Sequence, residues 1–123
     1  MATREDIAWA AGLFDGEGSI THTGRDLQAL LKNTDLELVT RFDAIVGRGR
    51  VYGPYGHSGR DGFVRKPYWM WLAQGDAAHD VIEILALWLS RRRLEQARLH
   101  GVITAYTDEA RENVRQSASV RIE

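Results

Sequence analysis

The 123-residue chain contains no cysteine, so it has neither disulfide bonds nor thiolate metal ligands. No apolar run approaches the roughly 18 to 20 residues that a membrane-spanning helix needs. The N-terminus lacks the basic and apolar regions of a secretory signal peptide. These absences predict a globular protein of the cytoplasm with no membrane partner, and the length predicts a single domain.

An excess of charge of either sign is also missing, because the formal net charge is only −1. The distribution along the chain is nevertheless uneven. Residues 48–66 contain five basic residues and one acidic residue, and residues 90–106 contain four basic residues and one acidic residue. A polyanion needs a basic face rather than a basic total, so nucleic acid and ordinary solvation are the two interpretations of these segments.

Capping residues and hydrophobic periodicity predict helices that alternate with hairpins. Thr3 and Asp6 form a capping-box pattern at the start of a first helix, and Asp35 precedes a second. A third helix opens at 76 or 77, and a fourth spans 91–106. The predicted strands span 19–23, 27–32, 50–55 and 63–73. This order predicts an α+β fold over residues 1–106, a four-stranded antiparallel sheet with helices packed on one face, followed by a polar tail at 107–123 that is helical or disordered.

One face of the first helix is lined by small residues. Ala8, Ala11 and Gly12 lie together, and Asp15 continues the same stripe one turn later. Glycine inside a helix costs about 1 kcal/mol relative to alanine, so it needs a packing reason. A stripe of small residues lets a second helix approach closely. We therefore predict that two copies of the chain pair along Ala8, Ala11, Gly12 and Asp15.

The same helix ends in the sequence Gly16-Glu17-Gly18, which places one carboxylate between two glycines. Pairing of two such helices brings two Glu17 side chains together. Mg²⁺ prefers oxygen ligands and is commonly held by one or two carboxylates together with substrate phosphates. A cation held there can activate water and stabilise the leaving oxygen of a phosphodiester. The residue pattern alone favours the alternative, a solvated glutamate in a helix-to-strand turn.

The nine residues Ala10–Gly18, with the sequence AAGLFDGEG, resemble the signature motif of the LAGLIDADG homing endonucleases. The resemblance extends over about residues 7–100 through segments at 18–20, 33–35, 47–52, 66–72 and 93–96. It implies a saddle-shaped sheet, built in the order α-β-β-α-β-β-α, that lies in the major groove of double-stranded DNA. One motif per chain implies a homodimer. The resemblance also implies that the protein acts inside a host cell. It implies that an intron, an intein, a phage or another mobile element encodes the protein.

The resemblance further implies which residues form the site. Glu17 corresponds to the metal-binding acid of the motif, and the Gly16 carbonyl assists it. Arg93 falls where the family carries a catalytic lysine, although arginine cannot donate a proton at neutral pH. Asn33 lies near the position at which the family carries a polar residue that positions solvent. The implied cofactor is Mg²⁺ or another divalent cation.

A DNA-binding surface follows from strand alternation combined with the resemblance. In the fourth strand, Arg65, Trp69 and Trp71 share one face, and Tyr68, Met70 and Leu72 share the other. The resemblance places the first of these sets toward DNA and the second against the helices. The two tryptophans are unusual on a DNA-binding face, and the alternative is that they are buried. Arginine can read guanine and contact phosphate, and glutamine suits adenine. The predicted DNA-binding residues are Gln28, Lys32, Arg48, Arg50, Tyr52, Arg65, Lys66 and Trp69.

The short first hairpin keeps other functions open. Ile20 and Gln28 are only eight positions apart, which limits the number of bases that this hairpin can read. The leading prediction is a homing endonuclease that hydrolyses both strands of DNA. The alternatives are a non-catalytic DNA- or RNA-binding relative, such as a maturase or a regulator, and a degenerate remnant of the family. The four histidines show no spacing typical of a zinc site and are expected at the surface or partly buried.

Overall fold

Eight elements follow one another in the computed structural model, which describes residues 2–24, 26–56 and 66–102. They are α1 (Arg4–Glu17), β1 (Gly18–Thr23), β2 (Asp26–Asn33), α2 (Leu36–Val46), β3 (Arg50–Tyr55), β4 (Tyr68–Gln74), α3 (Asp76–Leu85) and α4 (Arg91–Leu99). This order confirms the predicted α+β fold. The first part of the predicted fourth strand, up to residue 65, and the predicted tail at 107–123 lie outside the described residues. In the described ranges, no helix combines the length and the apolar character needed to span a membrane.

Local capping explains where α1 and α2 begin. Thr3 N donates to Asp6 Oδ2 at 2.9 Å, and Asp6 N donates to Thr3 Oγ1 at 3.1 Å, so the predicted capping box is formed. At the start of α2, Asp35 Oδ1 accepts from Glu37 N at 3.0 Å. Gly47 ends α2 with a φ of 69°, a left-handed conformation that glycine adopts without steric cost.

The four strands form one antiparallel sheet in the order β1-β2-β4-β3. In the pairing of β2 with β4, Lys32 lies opposite Met70 and Gln28 lies opposite Gln74. In the pairing of β3 with β4, Arg50 lies opposite Leu72. Residues directly opposite each other in an antiparallel pair point to the same face, so this register fixes the composition of both faces of the sheet.

The helices cover one face of the sheet, and three aromatic rings form the centre of the core beneath them. Phe42 and Trp71 have ring centroids 4.8 Å apart, and Phe14 lies 6.1 Å from Phe42. All three side chains are fully buried. Trp71 Nε1 donates to the Arg48 carbonyl at 2.9 Å, so the polar atom of this buried indole has a partner.

The predicted orientation of β4 is wrong. Trp71 is part of the core and Trp69 packs against it, so both tryptophans face the helices. Tyr68, Met70 and Leu72 therefore lie on the uncovered face of the sheet. Alternation correctly divided the strand into two sets, but it does not specify which set is buried. Trp71 faces the helices because its large side chain fills the space between α1 and α2, where it packs against Phe14 and Phe42.

Candidate nucleic-acid interface and carboxylate site

The uncovered face of the sheet carries four of the eight predicted DNA-binding residues. We define this open face by the residues that the register places together on it: Ser19, Thr21, Gln28, Leu30, Lys32, Arg50, Tyr52, Tyr68, Met70, Leu72 and Gln74. Lys32 Nζ lies 5.6 Å from the centre of the Tyr68 ring. The open face is thus a mixture of aromatic, aliphatic and amide side chains around a small basic centre.

Lys32 and Arg50 form the basic centre of the open face, and both are exposed. They lie on either side of β4, opposite the neighbouring residues Met70 and Leu72 of that strand. Such cations can neutralise phosphates, and arginine can also pair with guanine. The register thus places Gln28, Lys32 and Arg50 on the same face of the sheet, together with Met70 and Leu72 and not with the two tryptophans.

Two other residues of the predicted DNA-binding set are placed differently. Arg48 forms an ion pair with Asp80 of α3, so its side chain lies beside the helices and not on the open face. Trp69 packs against the core on the covered side. These two predictions are corrected, because helix packing and not strand alternation sets both positions. Lys66 is exposed immediately before β4, and Arg65 lies outside the described residues.

Glu17 is the last residue of α1, and its side chain is exposed. The chain then turns directly into β1 through Gly18, whose N–H donates to the Phe14 carbonyl. A Cβ at Gly18 would lie 2.5 Å from Phe14 Cδ2, so only glycine fits against this buried ring. Gly16 belongs to the last helical turn, where backbone carbonyls lack intrahelical donors. Packing around Phe14 thus holds an exposed carboxylate beside carbonyl oxygens.

Asp15 ties the end of α1 to the start of α4. Its two carboxylate oxygens accept from Ser90 N at 3.0 Å each, and Oδ1 also accepts from Ser90 Oγ at 3.1 Å. Ser90 in turn caps α4 by accepting from Arg93 N at 3.2 Å. The Asp15 carboxylate is therefore used within the chain, where it links the end of α1 to the start of α4.

Arg93 completes this link from the opposite direction. Its Nη2 donates to the Asp15 carbonyl at 2.7 Å, and its Nη1 donates to Gln96 Oε1 at 2.7 Å. The residue is only 6% exposed, and burial lowers the pKa of its guanidinium from the usual arginine value. A buried cation at the C-terminal end of α1 stabilises the negative end of the helix dipole. The structure thus places Arg93 against the backbone that leads to Glu17.

Asn33 lies at the end of β2, where its Oδ1 accepts from Asp35 N at 2.8 Å. Asp35 is also the N-cap of α2. The amide oxygen of Asn33 therefore stabilises the turn between β2 and α2.

The predicted small-residue stripe on α1 is partly buried within the chain itself. Ala11 is fully buried against the core, so its predicted place in a dimer interface is wrong. Gly12 and Gly16 are exposed instead, and a Cβ at either position would meet no atom within 4 Å. Ala8 is half-buried. The accessible edge of α1 is therefore rotated toward Gly12 and Gly16 and away from the Ala11 side.

The donor set at the end of α1 suits a hard divalent cation only in part. Glu17 supplies one exposed carboxylate, and Gly16 supplies a carbonyl oxygen, which are ligand types that Mg²⁺ prefers. In the described ranges, no three His, Asp or Glu side chains converge as a metal-binding group. A single chain thus offers oxygen donors of the right chemistry, and further donors would have to come from substrate phosphates or a second copy.

Sequence reasoning missed the partners that lie far away along the chain. Ser90 is 75 positions from Asp15, and Asp80 is 32 positions from Arg48. The contact between His22 and His100 spans 78 positions. A serine that caps a predicted helix at residue 91 is detectable locally, but its second bond to Asp15 has no local signal.

The fold is that of two solved homing endonuclease structures, which confirms the fold implied by the signature motif. Two crystal structures of the homing endonuclease I-CvuI match the chain over 97% of its length and cover 100% of the matched chains. The complex with its target in the presence of Ca has a TM-score of 0.53 at 15% identity. The complex with the I-CreI target in the presence of Mg, in which the DNA is not cleaved, has a TM-score of 0.52 at 14% identity. No family model and no curated protein matches the chain in sequence.

Proposed function

We propose that the protein is a site-specific endonuclease that hydrolyses phosphodiester bonds of double-stranded DNA as a Mg²⁺-dependent homodimer. The observation that carries this proposal is the exposed Glu17 carboxylate at the end of α1, within the fold of a homing endonuclease. The open face and the accessible edge of α1 support the two other requirements, a surface for DNA and a surface for a second copy.

DNA binds to the open face in this proposal. Lys32 and Arg50 neutralise phosphates or pair with base edges, and Gln28 and Tyr52 extend the contact toward both edges of the sheet. Exposed Lys66 adds a further cation next to β4. A sheet can enter the major groove, which is about 12 Å wide and carries a distinct donor and acceptor pattern for every base pair.

A second copy packs along α1. Gly12 and Gly16 leave open space above the helix, so the backbones of two α1 helices can approach closely there. Ala8 and Asp15 border this edge. Two-fold pairing makes the interface self-complementary and brings the two Glu17 side chains to the same end of the paired helices. A symmetric dimer also favours a DNA site with two-fold sequence symmetry.

Glu17 and the Gly16 carbonyl would hold the divalent cation, together with DNA phosphate oxygens. When bound, the cation supplies positive charge at the phosphodiester and makes a coordinated water more acidic. Arg93 acts in this proposal as a positioning residue, because its guanidinium is engaged with the Asp15 carbonyl two residues before Glu17. Asn33 stabilises the end of β2 next to the same region of the chain.

Selection of cleaved molecules from a randomised duplex library tests the proposal. With Mg²⁺ present, the unmodified protein should enrich one double-strand cut site. The Glu17→Gln variant should bind that site with similar affinity and leave it intact, because the amide keeps the shape of the side chain and removes its charge. A Glu95→Gln variant, which changes an exposed carboxylate on α4, should cut normally. Unchanged cutting by Glu17→Gln would contradict the proposal.

A non-catalytic DNA- or RNA-binding protein is the second candidate. It is favoured by the composition of the open face, where the uncharged residues Leu30, Met70 and Leu72 surround only two cations. The first hairpin is also short, since β1 spans only Gly18–Thr23. This candidate predicts saturable binding of a nucleic acid without cleavage in Mg²⁺. The third candidate, a degenerate remnant of the family that only pairs through α1, would neither bind nor cleave nucleic acid.

A further inference from the structure

Two histidines meet at the end of the molecule where the first hairpin approaches α4. His22 lies on β1, and His100 is the C-terminal cap of α4. Their Nδ1 atoms are 2.5 Å apart, and their ring centroids are 4.6 Å apart with a tilt of 42° between the ring planes. Both rings therefore present the same nitrogen to one small region of space.

This separation is short for two neutral ring nitrogens. Hydrogen bonds with an N–H donor are usually 2.7 to 3.2 Å long. Without a proton between them, two imidazole lone pairs at this distance repel each other. An N–H of one ring that donates to the other nitrogen removes this conflict, and so does a metal ion that accepts both lone pairs, since neutral imidazole is the commonest metal ligand in proteins.

The two histidines line a pocket of about 340 Å³ that holds other polar groups. Asp26, Asp76 and His79 also line it. The two carboxylates bring negative charge near the histidine pair, which favours a cation. The pocket has room for the water molecules that a metal with only two protein ligands would retain.

We propose that His22 and His100 form a two-histidine site for a divalent transition metal such as Zn²⁺, Cu²⁺ or Ni²⁺. Imidazole nitrogen suits these metals, whereas the oxygen donors around Glu17 suit Mg²⁺. No third His, Asp or Glu completes a metal-binding cluster in the described ranges, so water fills the remaining coordination positions. Two nitrogens bound to one tetrahedral zinc lie about 3.3 Å apart, so the pair opens by less than about 1 Å. Rotation of the exposed His22 ring provides this movement.

Metal binding at this position would join the β1–β2 hairpin to the end of α4. Only the folded chain brings His22 and His100 together, so the metal stabilises the folded state by an amount that grows with the logarithm of its free concentration above the Kd. The inference does not depend on nuclease activity, because neither histidine lies on the open face or on α1.

Calorimetric titration of the metal-free 123-residue chain with ZnCl₂ tests the inference. Excess MgCl₂ is kept in the buffer to fill oxygen-donor sites. We expect one Zn²⁺ per chain and a rise in Tm that MgCl₂ alone does not produce. The His22→Ala and His100→Ala variants should each weaken zinc binding at least tenfold. The double variant should be no weaker than either single variant, because one histidine alone does not form the site.

A His57→Ala variant serves as the matched control, since it removes another of the four histidines and leaves the pair intact. It should bind zinc as the unmodified chain does. Electron paramagnetic resonance of the Cu²⁺ form provides a readout that does not depend on the variants, and it should show two nitrogen ligands. Absence of zinc binding, binding that survives His22→Ala, or a copper spectrum without two nitrogen ligands would each overturn the inference.

Discussion

Arg93 shows how burial changes what a charged residue can do. The sequence places it where a catalytic lysine is expected, yet its guanidinium is held by the Asp15 carbonyl and by Gln96. Arginine retains its charge when buried and presents several donors in a fixed plane, so it suits this bridging position better than lysine. Glu17, in contrast, stays exposed and available. Arg93 thus holds the end of α1 in place, whereas the Glu17 carboxylate remains accessible from solvent.

Replacement of Arg93 tests its positioning role. Arg93→Met removes the shorter of the two hydrogen bonds to the Asp15 carbonyl and leaves the 3.4 Å bond from Arg92, so we expect a loss of about 1 to 3 kcal/mol in the free energy of unfolding, measured by urea titration. Arg93→Lys retains one donor and should lose less. Cleavage by the folded fraction of Arg93→Lys should stay within about tenfold of the unmodified protein, with an unchanged pH profile. Full stability together with abolished cleavage would indicate direct participation in chemistry.

Asp43 provides a pH-dependent test within α2. Burial raises the pKa of its carboxyl above the ordinary value of 3.8. The folded state therefore binds this proton more readily than the unfolded state, and stability falls as the pH rises through the unfolded and then the folded pKa. Asp43→Asn should be more stable than the unmodified chain at pH 7, by about 0.5 kcal/mol or less, and equally stable near pH 3. Urea titrations at both pH values measure this, with Glu95→Gln as an exposed control. A larger gain at pH 3 than at pH 7 would contradict the assignment.

Helix α1 has a buried side and an exposed side with different roles. Phe14 anchors the inner side in the aromatic centre of the core, and Gly18 is required because its backbone touches that ring. The outer side carries Gly12 and Gly16 with free space above them. The end of α1 and the start of α4 stabilise each other, because Asp15 bonds to the α4 cap and Arg93 bonds to an α1 carbonyl.

Substitutions at Gly12 separate folding from pairing. Gly12→Ala should raise the stability of the chain by up to about 1 kcal/mol, because alanine is the better helix former and its Cβ meets nothing. Gly12→Leu should fold but hold two α1 helices apart, which shifts sedimentation from dimer to monomer. Ala44→Leu, at an exposed position of α2, is the matched control and should remain dimeric. A Gly12→Leu variant that dimerises normally would contradict pairing along this edge.

The elements that local chemistry determines were predictable from the sequence. Thr3 with Asp6, and Asp35, correctly marked the beginnings of α1 and α2, because caps act over three residues or fewer. The sequence did not show which face of β4 is buried. Alternation separates two sets of side chains, but it does not say which set faces the core until a helix packs on one side. Burial of Ala11 and the pairing of Arg48 with Asp80 depend likewise on tertiary packing. The exposed position of Glu17 at the helix end agrees with the motif, whereas its chemistry stays a prediction.

For the whole molecule, the arrangement of charge matters more than its sum. The net charge is −1, yet Lys32 and Arg50 lie together on the open face. The cation of Arg48 is instead neutralised by Asp80 on the helix side. A two-layer fold of this kind leaves one sheet face free for a large partner while the helices enclose the core.

The salt dependence of duplex binding tests whether the open face meets DNA. Affinity should fall as salt rises, with a slope that reports the number of neutralised phosphates. Lys32→Ala and Arg50→Ala should each weaken binding and reduce the slope by about 1. Arg48→Ala, which removes a cation already paired with Asp80, should leave the slope unchanged. An effect of Arg48→Ala equal to that of Arg50→Ala would contradict binding of DNA to the open face, because Arg48 lies on the helix side.

The claim that two copies act on one duplex, each contributing Glu17, is tested most directly by the mass of the protein–DNA complex. Glu17→Gln bound to the selected cut site should sediment in Mg²⁺ as two chains per duplex. When Gly12→Leu is added to this variant, the two chains should no longer bind jointly. Each half of the site should then be filled independently, by at most one chain. A single chain per duplex, on a site that the unmodified protein cuts on both strands, would contradict the claim.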